Sequence, residues 1–206
     1  MAERVILSLW LGGFTEQTML GLWRKALDEF PASCEFPGVR GMTIYPLDWT
    51  SSPIQEQTFA HGTTAEYTVV LAEEFLHADY AYEAQLWWDL WAPKSEQPED
   101  GWERSVRIVS VICLGPEFDP EEAMTSGNLQ VHFGLDSAYL PPDFWQVPDE
   151  QMRQELSGPQ LRENLDQIIA CVHKIEKKLP VSKRLLGCES GESLADKLMG
   201  TWGRKI

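Results

Sequence analysis

The sequence is poor in cysteine, in basic side chains and in long apolar runs, and each shortage excludes a class of protein. Its four cysteines, Cys34, Cys113, Cys171 and Cys188, are widely spaced and include no C-x-x-C pair. That spacing speaks against a disulfide-stapled domain and against a zinc ribbon. Cys171 stands two residues from His173, a separation that turns the two side chains to different faces of a helix and argues against a thiol–imidazole catalytic pair. No stretch approaches the roughly 18 apolar residues of a membrane span. The opening Met1-Ala2-Glu3-Arg4 leads into a short apolar run, Val5 to Leu11, interrupted by Ser8 and followed by Gly12-Gly13. A secretory signal has a basic start and a longer apolar core, so a cytoplasmic setting is expected. With 17 Lys and Arg against 32 Asp and Glu, the net charge is −15. Too few cations remain for a phosphate backbone or an anionic bilayer, which excludes nucleic acid and membrane as expected partners.

Motifs that carry chemistry are missing as well. Gly12-Gly13 lies between a predicted strand and a predicted helix, where a phosphate could bind, but no third glycine and no Lys-Ser/Thr follow. Ser190 sits between Gly187 and Gly191 without forming G-x-S-x-G. No cofactor is expected.

What is present is a folding composition. The chain of 206 residues is 43% hydrophobic, enough for one sizeable core and hence one α+β domain over residues 1–206. Strands are predicted at Arg4–Leu11, Arg40–Leu47, Glu66–Leu71, Ser105–Leu114 and Asn128–Asp136, with a further short one at Ile54–Phe59. Helices are predicted from the Thr15 cap to Pro31, from His77 to about Trp91, from Ser157-Gly158-Pro159 to Leu179, and over Glu192–Met199. The third carries a continuous seam, Leu161, Leu165, Ile168, Val172, Ile175 and Leu179, which needs a core or a second subunit to cover it. The order of elements suggests a split β-α-β, ferredoxin-like core: an antiparallel or mixed sheet with helices on one face, an added strand and two C-terminal helices.

The charge is unevenly divided. Residues 1–156 hold 8 basic and 26 acidic side chains, a net of −18, whereas residues 157–206 hold 9 and 6, a net of +3. An acidic, sheet-bearing body is therefore followed by a mildly basic helical extension, with Lys174, Lys177, Lys178, Lys183 and Arg184 clustered in it.

Three groups of residues are candidates for a site. Glu73, Glu74, His77 and Asp79 form the densest set of potential metal ligands, and on a helix Glu74 and His77 would share a face. A solvated acidic segment leading into a helix explains the same residues without a metal. His132 and Asp136 lie on the polar face of the alternating strand, about 13 Å apart, too far for a direct pair. The nine tryptophans are an excess; those on predicted helical stripes are assigned to the core. Trp49, Trp102 and Trp145, near element ends or in loops, are the ones expected to line a ligand pocket or anchor an interface. High acidic charge, aromatics outside the core and no catalytic motif suggest a non-enzymatic, inhibitor- or immunity-like interaction module. Its partner would be a basic protein or a copy of the chain itself. The alternatives are a small-ligand domain or enzyme with a Trp-lined, carboxylate-bearing pocket, and metal-dependent hydrolysis through Glu74, His77 and Asp79.

Overall fold

The first strand, β1 (Arg4–Leu11), alternates so that Val5, Leu7, Leu9 and Leu11 are buried. Gly12-Gly13 turns the chain into α1 (Glu16–Asp28), whose start is tied by the Thr15 backbone N–H donating to Thr18 Oγ1 at 2.9 Å. Its buried stripe is Met19, Leu22, Trp23 and Ala26 with Leu20 and Leu27 beside them. The elements that follow are β2 (Val39–Pro46), β3 (Gln55–Thr58), α2 (Ala65–Glu73), β4 (Tyr80–Pro93), β5 (Trp102–Leu114), α3 (Pro120–Ser126), β6 (Leu129–Leu135), a 3-10 turn (Asp136–Ala138), α4 (Pro159–Lys178) and β7 (Val181–Cys188). This computed structural model describes residues 2–94, 101–140, 158–194 and 196.

The protein is α+β, with a seven-stranded sheet in the order β3-β2-β4-β5-β6-β1-β7 and every neighbouring pair antiparallel. This order does not confirm the split β-α-β core. β1 and β2, which α1 joins, are separated by three strands, and β4, β5 and β6 follow one another as a meander.

Two segments exchange the types predicted for them. Residues 66–71 are helical within α2 although rich in β formers. Thr64 caps this helix by accepting the Tyr67 N–H at 3.2 Å, and burying Thr68, Val69 and Ala72 on one stripe overrides local propensity. Conversely, residues 80–93 are strand. Tyr82, Ala84, Leu86, Trp88, Leu90 and Ala92 are buried, while Glu83, Gln85, Trp87, Asp89 and Trp91 alternate with them on the other face. The helical spacing of Trp87, Trp88 and Trp91 masks that alternation, because two of the three lie on the outer side. The C-terminal part contains β7 as well as a helix, and the helix expected over 192–199 falls largely outside the described residues, as does most of the 94–101 loop. Among the described residues, no helix is long and apolar enough to cross a membrane.

The core lies between the sheet and one layer of helices. α1 packs on β5 and touches both α2 and α4, α2 packs on β2, and α4 packs on β4. The largest fully buried side chains, Trp23 and Trp88, place their indole N–H groups on Val111 O at 3.0 Å and on Gln167 Oε1 at 2.9 Å, so the rings are buried without an unmet donor. The α4 seam closes the layer: Leu161, Ile168, Val172, Ile175 and Leu179 are buried and Leu165 partly so. Within that helix Asn164 is fully buried. Its Oδ1 accepts the Trp91 N–H at 2.9 Å, and its Nδ2 donates to Trp91 O at 2.9 Å and Ala138 O at 2.8 Å. The side chain thereby satisfies a stretch of β4 beyond Leu86 that, among the described residues, no strand pairs on that edge.

Cross-strand register defines the opposite face. Trp10 stands opposite Lys183, Ser8 opposite Gln130 and Ile6 opposite His132. His132 is opposite Ser110, Glu83 opposite Ile112, Trp87 opposite Ile108 and Trp91 opposite Arg104. Directly opposed residues share a face, so these side chains project from the side opposite the main helix layer, except that at the end of β4 and β5 Trp91 and Arg104 reach Glu163 of α4.

Candidate functional site

The face away from the helices forms a concavity of about 540 Å³, floored by Ile6, Ser8, Ile112, Gln130 and His132 and bordered by Trp49, Glu83 and Glu122. Leu185 of β7 and the turn carrying Glu189 close its far side. α3 is brought over this face by a tight junction at Gly127, which has φ +81° and whose missing Cβ would lie 2.5 Å from Leu9 O, so no larger residue fits there. The Trp10 indole N–H donates to Met124 O at 3.3 Å and holds α3 from the other side.

Two hydrogen-bonded chains run through the site. In the first, Gln130 Nε2 donates to Glu122 Oε1 at 3.3 Å, and Gln130 Oε1 lies 3.0 Å from His132 Nε2. A carboxylate only accepts, so the amide must turn its NH2 towards Glu122 and its oxygen towards His132, which puts the imidazole hydrogen on Nε2. Burial holds the His132 pKa below its ordinary value, against the opposing pull of Glu83. In the second chain, Ser110 Oγ donates to Glu83 Oε1 at 2.6 Å and Tyr45 Oη donates to Glu83 Oε2 at 3.5 Å. Burial, reinforced by Glu83, pushes the Tyr45 phenol up, so it stays a donor. At the rim, Arg4 Nε is 3.3 Å from Glu189 Oε1.

The Ser110 hydroxyl is thus committed to a carboxylate oxygen and the Nε2 hydrogen of His132 to an amide oxygen.

The sequence-derived candidates distribute unevenly around this site. His132 and Trp49 line it. Glu73 ends α2 and Glu74 follows as its cap, both exposed, while His77 Nδ1 is hydrogen-bonded to Asp79 Oδ1 and the imidazole stacks on Tyr80 at 4.9 Å. The four thus form a surface turn that does not border the concavity. Asp136 is nearly buried at the start of the 3-10 turn, where its Oδ1 accepts the Glu3 N–H at 3.1 Å. Among the described residues, the donor group compact enough to suggest a metal is Glu3, Asp136 and Cys188, with ligand atoms within 4.8 Å of one another, and not residues 73–79. Trp102 opens β5 opposite Pro93, away from the concavity, and Trp145 lies outside the described residues. Glu83, Glu122, Gln130, Ser110 and Tyr45 complete the site, and residue type alone singles out none of them. The alternation in residues 81–92 was the signal that could have placed Glu83 on an outward face.

Several tryptophans outside the core are already engaged. Lys183 Nζ lies 4.0 Å from the Trp10 ring centroid, the Arg40 guanidinium carbon 5.2 Å from that of Trp87, and the Arg104 guanidinium carbon 4.4 Å from that of Trp91. Comparison of the chain with protein-family models, with curated proteins and with solved structures gives no match.

Proposed function

We propose that this chain is a non-enzymatic interaction module in which the concavity beside α3 receives a cationic segment of a protein partner in a cytoplasmic setting. One observation carries the reading: Glu83, Glu122 and Glu189 converge on a single concavity, against one guanidinium there, Arg4, which is engaged with Glu189. The −18 charge of residues 1–156 extends the same field beyond the site, and a field of one sign speeds the encounter with a partner of the other. Ile6 and the exposed Leu185 supply apolar contact area that charge alone does not.

A second reading, a small-ligand site, draws on Trp49 and Glu83 bordering the same concavity, an aromatic wall beside a polar group. Nitrogen-15 spectra recorded during titration with hexalysine and with hexaglutamate separate the possibilities. Under the first reading, hexalysine shifts the amides of Ser8, Ser110, Gln130 and His132, added salt reverses the shifts, and the double variant Glu122→Gln/Glu189→Gln weakens binding several-fold. If hexalysine leaves those amides unmoved, or hexaglutamate moves them equally, the charge reading fails.

A further inference from the structure

Three times among the described residues this protein lays a cation of its own over an indole. Lys183 covers Trp10, Arg40 covers Trp87 while hydrogen-bonding Gln85, and Arg104 covers Trp91 while pairing with Glu163. The last arrangement is complete in three parts: aromatic ring, guanidinium and carboxylate. The Trp91 indole N–H also reaches Glu163 Oε2 at 2.7 Å, which ties the acid to the ring.

At Trp49 the same parts occur with one missing. Trp49 is 38% exposed. Its ring is held edge-to-face by Phe118 at 5.1 Å and by Tyr45 at 5.2 Å. Tyr45 in turn donates to Glu83, whose other oxygen is held by Ser110. The wall and the carboxylate are therefore linked through one phenol, and both border the concavity. Among the described residues, no lysine or arginine lies over Trp49 and none is ion-paired with Glu83. The turn presenting Trp49 is braced by Asp48, whose Oδ1 accepts the Thr50 and Ser51 N–H groups at 2.8 and 3.0 Å.

We propose that the gap between Trp49 and Glu83 is filled by an arginine side chain of the protein partner, stacked on the indole and hydrogen-bonded to the carboxylate. This rests on the cationic-partner reading and names the residue the partner inserts. Arginine fits better than lysine because a flat guanidinium can stack on a ring while its edge N–H groups reach a carboxylate in the same plane, which a compact ammonium cannot do. At Trp91 a guanidinium of the chain itself lies over the ring while paired with a carboxylate.

The test compares hexa-arginine with hexalysine on the full chain by isothermal titration, with Trp49→Leu and Glu83→Gln as variants and the nitrogen-15 spectrum of each as the check on its fold. The wild type should bind hexa-arginine about fivefold tighter or more. Trp49→Leu, which keeps an apolar contact on Phe118, should erase that preference, and Glu83→Gln, which preserves shape, should weaken hexa-arginine by about tenfold. Equal affinity for the two peptides in the wild type overturns the proposal while leaving the charge reading intact, as does a preference that survives Trp49→Leu. If neither peptide binds, both fall.

Discussion

Asn164 is the side chain whose removal should be felt most sharply for its size. It is fully buried and makes three hydrogen bonds to main chain, two to Trp91 and one to Ala138. In Asn164→Ala one N–H and two carbonyls lose their partners at a place water reaches poorly. At about 1 kcal/mol for each, the loss is about 3 kcal/mol, a large share of the roughly 5–15 kcal/mol that holds an average domain together. For a chain of this length that corresponds to a fall in Tm of about 6–12 °C, or a drop of about 1–1.5 M in the urea midpoint. Asn164→Asp provides the internal control. It keeps an acceptor for the Trp91 N–H but sets a carboxylate against two carbonyl oxygens, so it should be less stable than the alanine variant and should recover as the pH is lowered and the acid takes up a proton. Urea denaturation of the three proteins at neutral and mildly acid pH decides. If the alanine variant lies within about 0.5 kcal/mol of wild type, or the aspartate variant matches wild type, the account of how α4 holds β4 is wrong.

Two further outcomes follow from buried titratable groups. Because burial lowers the His132 pKa from 6.5 in the folded protein, the unfolded chain takes up that proton more readily. Stability should therefore fall as pH drops through about 6.5 and stop falling, for this group, below the folded pKa; His132→Gln should flatten the slope, and an unchanged slope in urea titrations refutes the assignment. Of the four thiols, Cys34 is exposed and the others buried, with burial pushing Cys113 up and Cys171 up to about 12. Iodoacetamide at mildly alkaline pH, read by mass spectrometry, should label Cys34 alone in the native protein; Cys113 or Cys171 reacting at the same rate would contradict the packing.

The parts of the fold legible in the sequence are those where one periodicity acts alone. β1 and β6 alternate cleanly, α1 and α4 carry an uninterrupted stripe between a start signal and a proline, and the apolar run of β5 marks a central strand. Where two signals compete, local reading fails: Trp87 and Trp91 imitate a helical stripe although they stand on the outer side of β4, and Tyr67 and Val70 of α2 are β formers exposed on a helix. β7 is illegible for a different reason. An edge strand with Lys183, Arg184 and Leu185 exposed has little burial to imprint a pattern. The site suffers from both problems. His132 and Trp49 can be singled out by residue type, but Glu83 is hidden by the misread β4. Its link to Trp49 depends on strands β2, β4 and β5 becoming neighbours, which no local window reveals.

The place of β1 in the sheet has a consequence for how the protein is made. β1 lies between β6 and β7, so it is synthesised well before either of its partners. At about 5–20 residues per second, roughly 10–35 s of translation separate Leu11 from Cys188. Until β6 has been made, Val5, Leu7 and Leu9 form a nascent apolar segment with both strand edges open, and the edge that β7 covers stays open longer. Expression at lower temperature, which lengthens the interval, therefore calls for chaperone protection of β1 more than of any later strand.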